Sequence, residues 1–303
     1  MSAGTTLRIG RRQVGISNPD KVLYPDAGFT KAGVVDYYVR IAPALLPHVK
    51  GRAMTLKRYP NGVDGDYFFE KNCPSHRPEW VPTVTVASRR REGNVHYCLI
   101  NEAASLAWTA NLASLELHTS LARSKDVTRP TMMVFDFDPG PPAGMPQCIR
   151  VASRMRDLLQ RLGLRSFPKT SGGKGLHLYV PLNTPRLDFD RTKAFAHALA
   201  MMLEREDPKL ITSVMAKAER PGKVFIDWSQ NDEHKTTVSV YSLRARERPT
   251  VSTPVTWDEL EAAQRKGNAA SLVFETADVL RRVERHGDLF APVQSLKQKL
   301  PAP

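Results

Sequence analysis

Two aspartates, Asp136 and Asp138, lie in a segment that is otherwise built of Val and Phe. Side chains two residues apart on a β-strand point to the same face, so a strand here presents two carboxylates side by side. Such a pair repels itself and is costly to bury unless cations neutralise it. Asp227 interrupts a second apolar segment, residues 224–228, in the same way. Three acids suffice for two Mg²⁺ or Mn²⁺ ions, which can activate a 3′-hydroxyl and stabilise a leaving pyrophosphate.

A structural explanation of the aspartate pair competes with this hypothesis. Asp138 is followed by Pro139 and Gly140, a composition typical of the turn that ends a strand. An Asp-x-Asp motif alone is also too short to be specific. The metal hypothesis therefore depends on the third acid and on the neighbouring motifs.

A glycine-rich loop at residues 170–175 precedes an apolar segment. Glycines allow backbone amides to approach an anion closely, and Lys174 adds a mobile positive charge suited to a triphosphate. The spacing is not that of a Walker A loop, because Lys174 is followed by Gly175. An ordinary glycine-rich turn explains the composition equally well.

Basic and aromatic residues elsewhere are suited to contacts with nucleic acid. Lys57 lies on a predicted strand, and Arg244 and Arg246 share one side of a predicted extended segment, from which both could reach phosphates or a template backbone. Phe68 and Phe69 could stack on bases, although strand alternation predicts that only one is exposed. Solvated faces and core packing remain the alternatives for these residues.

The charge of the whole chain indicates a polyanionic partner. Its 303 residues carry 44 Lys and Arg against 31 Asp and Glu, a net charge of +13, while 41% hydrophobic and 25% charged residues are ordinary globular usage. Nucleic acid is a better candidate than a membrane, because no apolar run approaches the ~20 residues that span a bilayer. A basic enzyme with no nucleic-acid partner is the alternative.

The cysteines point to a reducing compartment. Cys73, Cys98 and Cys148 are too few and too scattered for a disulfide framework, and no signal sequence precedes them, so we expect a cytoplasmic protein. Cys73 and Cys98 could join His76 and His96 in a zinc site, but the spacings follow no familiar ligand pattern. We therefore expect ordinary surface and core residues.

Periodicity and turn residues predict the secondary structure. Arg89, Arg90 and Arg91 are expected at a basic hairpin tip, and residues 297–303 as a frayed tail or the start of a linker. Helices are predicted after an N-cap at Thr30 and at residues 102–113, 147–162, 189–204, 257–264 and 275–284. Strands are predicted at residues 53–59, 67–71, 83–87, 95–100, 115–118, 131–138, near 166, 176–181, 211–215, 224–228 and 237–241.

In their order along the chain, these motifs resemble the polymerase domain of bacterial ligase D, a primase-polymerase module of the archaeo-eukaryotic type that acts in non-homologous end joining. The matching blocks cover nearly all of the chain and are residues 18–25, 57–62, 68–71, 135–139, 171–177 and 227–231. The resemblance implies an α+β fold of two α/β modules with mostly antiparallel sheets around one catalytic cleft. The domain would occupy residues 1–296.

The same resemblance assigns roles to individual residues. Asp136, Asp138 and Asp227 would bind two metal ions, with Mn²⁺ commonly preferred over Mg²⁺. Nucleotide contacts would come from Lys57, His118, Ser171, Lys174, His177 and Arg244. A recessed 5′-phosphate on the downstream strand would bind Asn18, Lys21 and Lys31, and Phe68 or Phe69 would steer the template.

The activity implied by the resemblance is addition of nucleotides, preferentially ribonucleotides, to DNA 3′ ends, which fills gaps with short stretches of RNA. The substrates would be nucleoside triphosphates, and the nucleic-acid partners would be double-stranded DNA ends and gapped DNA. Ku and a ligase domain would be the protein partners. The protein would be located in the bacterial nucleoid. No Lys-x-Asp-Gly ligase motif occurs, so we do not expect this chain alone to ligate. A de novo primase and a non-catalytic DNA-end binding module remain alternatives.

Overall fold

The computed structural model describes residues 5–88, 93–185 and 187–301. The basic tip predicted at Arg89, Arg90 and Arg91 lies outside the described residues. The strands, in chain order, are β1 (Thr5–Ile9), β2 (Arg12–Ile16), β3 (Val22–Tyr24), β4 (Phe29–Thr30), β5 (Ala53–Arg58), β6 (Phe68–Glu70), β7 (Thr83–Ala87), β8 (Asn94–Leu99), β9 (Ser114–Thr119), β10 (Ala122–Arg123), β11 (Asp126–Pro130), β12 (Met132–Pro139), β13 (Phe167–Thr170), β14 (Leu176–Pro181), β15 (Ile211–Thr212), β16 (Val224–Asp227) and β17 (Thr237–Val238).

The helices agree closely with the periodic segments of the sequence. As predicted, Thr30 caps the first helix, because its hydroxyl accepts a hydrogen bond from the Gly33 amide at 3.4 Å. The helices are α1 (Lys31–Val49), α2 (Ala103–Asn111), α3 (Met145–Arg161), α4 (Phe189–Glu206), α5 (Trp257–Arg265), α6 (Thr276–His286) and α7 (Pro292–Ser295).

The chain divides into two compact units, and each unit has its own sheet and helices. This confirms the α+β class and the two modules with mostly antiparallel sheets. Unit 1 consists of Met1–Ser120, Thr236–Ser252 and Glu275–Asp288, and unit 2 consists of Leu121–Lys235, Thr253–Phe274 and Leu289–Pro303.

Unit 1 is built on a six-stranded antiparallel sheet. The strand order is β17-β9-β5-β8-β7, and β6 also pairs with β5. Helix α1 lies against α2 and buries two tyrosines whose hydroxyls have defined partners: Tyr37 donates to the Tyr241 carbonyl at 2.8 Å, and Tyr38 donates to the Leu115 carbonyl at 2.7 Å. These bonds satisfy phenol groups that would otherwise be costly to bury.

Unit 2 is built on a five-stranded sheet with the order β13-β14-β12-β16-β15, in which only β15 and β16 run parallel. Strand β12 lies at its centre, and its side chains Met133, Phe135 and Phe137 are fully buried in the core. Helices α3 and α4 cover this core with the apolar faces that periodicity predicted. The buried residues alternate with Asp136 and Asp138, so the carboxylates leave the core on the opposite face.

The end of the described chain differs from its prediction. Residues 297–303 were expected to be a frayed tail or the start of a linker, but the Gln298 side chain exchanges hydrogen bonds with the backbone of Arg165, and the Gln298 amide donates to the Leu182 carbonyl. Leu300 is 8% exposed and belongs to the core of unit 2. The prediction of a frayed tail is therefore wrong for these two residues.

The prediction for the cysteines is also wrong. Cys73 and Cys98 form a disulfide with a Cα–Cα distance of 4.9 Å, and Cys148 is a buried free thiol. The backbone brings the first two together, because the Cys73 amide donates to the carbonyl of His96, two residues before Cys98 on β8.

Across the described ranges, no helix is both long enough and apolar enough to cross a membrane.

Candidate functional site

The three predicted metal ligands lie on two neighbouring strands of unit 2. Asp136 and Asp138 are on β12, and Asp227 ends β16. The antiparallel register sets Asp136 directly opposite Asp227, and all three side chains are half-buried. The sheet therefore brings together the acids that the sequence places about 90 residues apart.

The carboxylates contact donors of their own unit. Asp227 Oδ1 accepts a hydrogen bond from the Ser229 amide at 2.9 Å, and its Oδ2 accepts one from the Gln230 side chain at 2.7 Å. Asp136 Oδ1, shielded from solvent, lies 3.2 Å from His177 Nε2. Within residues 5–88, 93–185 and 187–301, no three or more His, Cys, Asp or Glu side chains are grouped so that they could hold a metal ion as they stand. In their chemistry, three carboxylates match the oxygen ligands that Mg²⁺ and Mn²⁺ prefer.

The glycine-rich loop lies directly against β12. A Cβ at Gly175 would collide with the Phe137 carbonyl oxygen, so only glycine allows this approach. The Ser171 hydroxyl accepts hydrogen bonds from the amides of Gly173 and Gly175, both at 3.1 Å. Lys174 is exposed at the tip of the loop.

His177 is the second residue of β14, and the strand register pairs it with Asp136. It is buried, and its position in the register explains why its ring reaches that carboxylate. Ser171, Lys174 and His177 thus all belong to unit 2, on the loop and strand that follow β13, and His177 is paired with the strand that carries Asp136 and Asp138.

Unit 1 contains a second polar cluster, centred on Glu116 of β9. Glu116 is 2% exposed, and three cationic or imidazole groups contact its carboxylate. Lys57 of β5 lies 3.8 Å away, His118 2.9 Å and Arg244 3.3 Å. The amide of Ala245 also donates to Glu116 at 3.1 Å. Three of the predicted nucleotide contacts, Lys57, His118 and Arg244, are therefore held by one carboxylate.

The electrostatics of this cluster follow from burial and mutual charge. Burial alone raises the pKa of Glu116, but the His118 hydrogen bond and the charges of Arg244 and Lys57 bring it well below its ordinary value. Burial lowers the pKa of His118, and the neighbouring cations add to that effect although Glu116 opposes it. Burial likewise lowers the pKa of Lys57. The cluster at neutral pH is a carboxylate with two cations and a neutral imidazole.

Aromatic rings surround the Lys57 amine. Its Nζ lies 4.1 Å from the ring centroid of Tyr67, 5.2 Å from that of Tyr59 and 5.4 Å from that of Phe69. Such contacts favour a cation over the ring faces. Phe68 and Phe69 are both exposed, by 44% and 54%, so the prediction that only one would face solvent is wrong. β6 pairs through only three residues on one edge of β5, which leaves both rings uncovered.

Arg244 and Arg246 do not share one side of an extended strand, which contradicts their prediction. The Arg246 amide donates to the Arg244 carbonyl at 3.0 Å, a bond that closes a tight turn and separates the two side chains. Arg244 points to Glu116, whereas Arg246 is exposed.

The residues predicted to bind a 5′-phosphate lie together in unit 1. The Lys21 amide donates to the Asn18 carbonyl at 3.1 Å, and the Lys31 amide donates to the Lys21 carbonyl at 2.9 Å, across the β3–β4 hairpin. The Lys31 amine donates to the Ser17 carbonyl at 2.8 Å. Burial lowers the pKa of Lys31, and the charges of Lys21 and Arg58 lower it further. Mutually repelling cations of this kind favour a bound anion.

Comparison with known proteins identifies the family of this chain. Residues 30–290 match the model of the LigD primase-polymerase domain. The chain belongs to this family.

Solved and curated relatives extend over most of this LigD-type chain. The polymerase domain of Mycobacterium tuberculosis ligase D, solved in complex with DNA, superposes with a TM-score of 0.86 at 42% identity and covers 94% of this chain and 99% of that one. The multifunctional non-homologous end joining protein LigD of Mycolicibacterium smegmatis is 44% identical over 93% of this chain, and its Pseudomonas aeruginosa counterpart is 34% identical over 87%. This chain spans only 36% and 31% of those two proteins.

Three residues that contact the predicted site residues were not identified as candidates from the sequence. Glu116 interrupts apolar residues of β9 in the same pattern that singled out Asp136, so strand alternation could have found it. Gln230 follows Asp227 within a short turn that no periodic signal marks. Lys169 lies on β13, just before the glycine-rich loop, and is fully buried. Lysines are almost always exposed, so nothing in the sequence predicts this burial.

Proposed function

We propose that this chain is a template-directed nucleotidyl transferase that adds nucleotides, preferentially ribonucleotides, to DNA 3′ ends and fills gaps during non-homologous end joining. The observation that carries the proposal is the register of β12 and β16, which sets Asp136 opposite Asp227 beside Asp138. Membership of the LigD primase-polymerase family supports the same chemistry.

Asp136, Asp138 and Asp227 are the residues that would hold two divalent ions, Mn²⁺ or Mg²⁺. When bound, such ions activate a 3′-hydroxyl and neutralise charge on the transferred phosphoryl group. The Asp227 carboxylate would exchange a hydrogen bond from Ser229 or Gln230 for the cation. His177 would keep the Asp136 carboxylate in place.

Each unit has side chains that suit the triphosphate of a nucleotide. In unit 2, Lys174 is exposed beside the glycine-rich loop, and Ser171 and His177 flank it. In unit 1, Lys57, His118 and Arg244 surround Glu116, which fixes their positions before a nucleotide arrives. Such preorganised cations stabilise phosphoryl-transfer charge because no reorganisation is needed.

DNA would contact the exposed residues of unit 1. Phe68 and Phe69 would stack on template bases, with Arg246 on the backbone, and Asn18, Lys21 and Lys31 would hold a downstream 5′-phosphate. The net charge of +13 supports binding to such a polyanion. The names of the relatives place those proteins in non-homologous end joining. For this chain we propose Ku and a ligase domain as partners and the bacterial nucleoid as the location.

The test is extension of a DNA primer on gapped duplex with Mn²⁺ and nucleoside triphosphates. We expect extension by the wild type, more with ribonucleotides than deoxynucleotides, and none by Asp138→Ala. Asp190→Ala, which removes an exposed carboxylate of unit 2, is the matched control and should keep wild-type activity.

Two outcomes would redirect the proposal. Dinucleotide synthesis on single-stranded template without a primer would identify a de novo primase. Gap binding without extension under any of these conditions would identify a DNA-end binding module and contradict the proposal.

A further inference from the structure

A fully buried lysine lies close to the proposed metal-binding carboxylates. Lys169 of β13 is 0% exposed. Its Nζ lies 3.2 Å from Nδ1 of His177, the residue opposite it on β14. Burying an ammonium group is costly unless hydrogen bonds and neighbouring charges stabilise it, so this contact calls for an explanation.

The contact continues across the sheet. His177 is also the register partner of Asp136 on β12, and its Nε2 lies 3.2 Å from Asp136 Oδ1. Three neighbouring strands therefore align Lys169, His177 and Asp136 in one row, and each nitrogen of the imidazole ring faces a different partner.

The chemistry of the row determines the tautomer of the imidazole. A lysine ammonium has three donors and no acceptor, so the Nδ1 atom that it contacts must accept. The ring proton is then on Nε2, the nitrogen that lies 3.2 Å from Asp136 Oδ1. Lys169 Nζ also lies 5.6 Å from the centroid of the Tyr179 ring, a position that favours the charged form of the amine.

We propose that Lys169 is a positioning residue that fixes His177 as the Nε2–H tautomer and thereby orients the Asp136 carboxylate. The proposal deepens the function proposed above. Its effect on metal binding rests on Asp136 as a metal ligand, whereas the tautomer of His177 can be measured without any metal. Residues that hydrogen-bond to a metal ligand, directly or through one other residue, set the orientation of that ligand and hence the affinity of the site for the metal.

The direct test is nitrogen NMR of the full chain carrying ¹⁵N-labelled histidine. Protonated and bare ring nitrogens give well-separated resonances, and the His177 signals are assigned by their loss in His177→Gln. In the wild type we expect a proton on Nε2 and a hydrogen-bonded, bare Nδ1. A wild-type ring with its proton on Nδ1 would overturn the proposal without any variant at position 169.

Lys169→Met keeps the length of the side chain and removes the donor, so the fold has no cavity to accommodate. We expect the Nδ1 chemical shift to move to the value of a nitrogen that accepts no hydrogen bond. We also expect the tautomer with its proton on Nδ1 to appear. Lys209→Met, at an exposed lysine of unit 2, should leave the His177 signals unchanged. A His177 pattern identical in wild type and Lys169→Met would overturn the proposal.

A second readout separates this proposal from the proposed function. We expect Lys169→Met to weaken Mn²⁺ binding about tenfold, the effect typical of residues that orient a metal ligand, while Lys209→Met binds as the wild type does. Unchanged Mn²⁺ affinity in Lys169→Met would contradict the orienting role. A wild type that binds no Mn²⁺ would contradict the proposed function instead, and the tautomer measurement would still decide the role of Lys169.

Discussion

The two polar clusters of this molecule have opposite charge. In unit 1, one buried carboxylate, Glu116, is surrounded by Lys57, Arg244 and a neutral His118. In unit 2, three carboxylates lie on two adjacent strands, and the His177 imidazole contacts Asp136 on one side and Lys169 on the other. The first cluster has positive charge in excess among these groups and suits an anion. The second has negative charge in excess and suits a cation.

The comparison shows how the same residue types yield opposite sites. In each case a carboxylate interrupts an apolar strand, and an imidazole lies beside it. What differs is the neighbouring strand: β5 places Lys57 opposite Glu116, whereas β16 places Asp227 opposite Asp136. The register partner, not the strand itself, therefore sets the sign of the charge in each cluster.

The largest expected effect is the loss of nucleotide addition when the charge of Asp227, a carboxylate of the unit 2 cluster, is removed. Asp227→Asn should reduce nucleotide addition by about 10³-fold, since loss of a metal contact removes several kcal/mol of transition-state stabilisation. Single-turnover extension of gapped DNA measures this, with Asp190→Asn as the control. Activity within about threefold of wild type would show that Asp227 is structural.

The next effect concerns the stability of the unit 1 cluster. Glu116→Gln should lower the free energy of unfolding by about 3 kcal/mol at pH 7, because it leaves buried cations without their carboxylate. The folded pKa of Glu116 is below its ordinary value of 4.5, so this stabilisation is complete above that pH and is lost as pH falls through the folded pKa. Urea unfolding of both proteins from pH 7 to pH 3 should show a difference that shrinks only below about pH 4.5. A difference that does not change with pH would contradict the charge-based origin.

The same variant separates the roles of the clusters. We expect Glu116→Gln to raise KM for the nucleoside triphosphate about tenfold, because Lys57, His118 and Arg244 lose their fixed positions. Mn²⁺ affinity should not change, since the proposed metal ligands belong to unit 2. Weakened Mn²⁺ binding with an unchanged KM would reverse this division of roles.

The smallest effect is expected at the 5′-phosphate residues. Lys21→Ala combined with Lys31→Ala should reduce the preference for a 5′-phosphorylated gap by about tenfold, the effect of losing charge-assisted contacts to one phosphate. Extension of a primed template without a downstream strand should remain near wild type. DNA binding should also lose part of its salt dependence, since fewer phosphates are neutralised.

Much of the site was predictable because strands alternate. Asp136, Asp138 and Asp227 were identified from carboxylates in apolar strands, and Lys174 from a glycine-rich loop. The pairing of Asp136 with Asp227 was not predictable, because register depends on strands distant in sequence. The family resemblance, now confirmed, supplied the roles of Asn18, Lys21 and Lys31, which no local pattern reveals; the roles themselves stay predictions.

The errors have a common physical origin in segments without regular periodicity. Arg246 was placed on an extended segment, but a tight turn separates it from Arg244. Cys73 lies in a loop after β6, and only the fold brings it to Cys98. Gln298 and Leu300 lie within a segment rich in Lys and Pro, yet Leu300 packs into the core of unit 2. In each case tertiary contacts decided what local composition left open.

Mn²⁺ binding to the apo chain tests the central claim most directly. Electron paramagnetic resonance of free Mn²⁺, titrated with wild type, Asp136→Asn and Asp190→Asn, measures affinity without DNA, nucleotide or turnover. The account predicts saturable binding by wild type and Asp190→Asn, and binding weakened at least tenfold in Asp136→Asn. Equal Mn²⁺ affinity in all three proteins would contradict the assignment of the unit 2 carboxylates as the metal site.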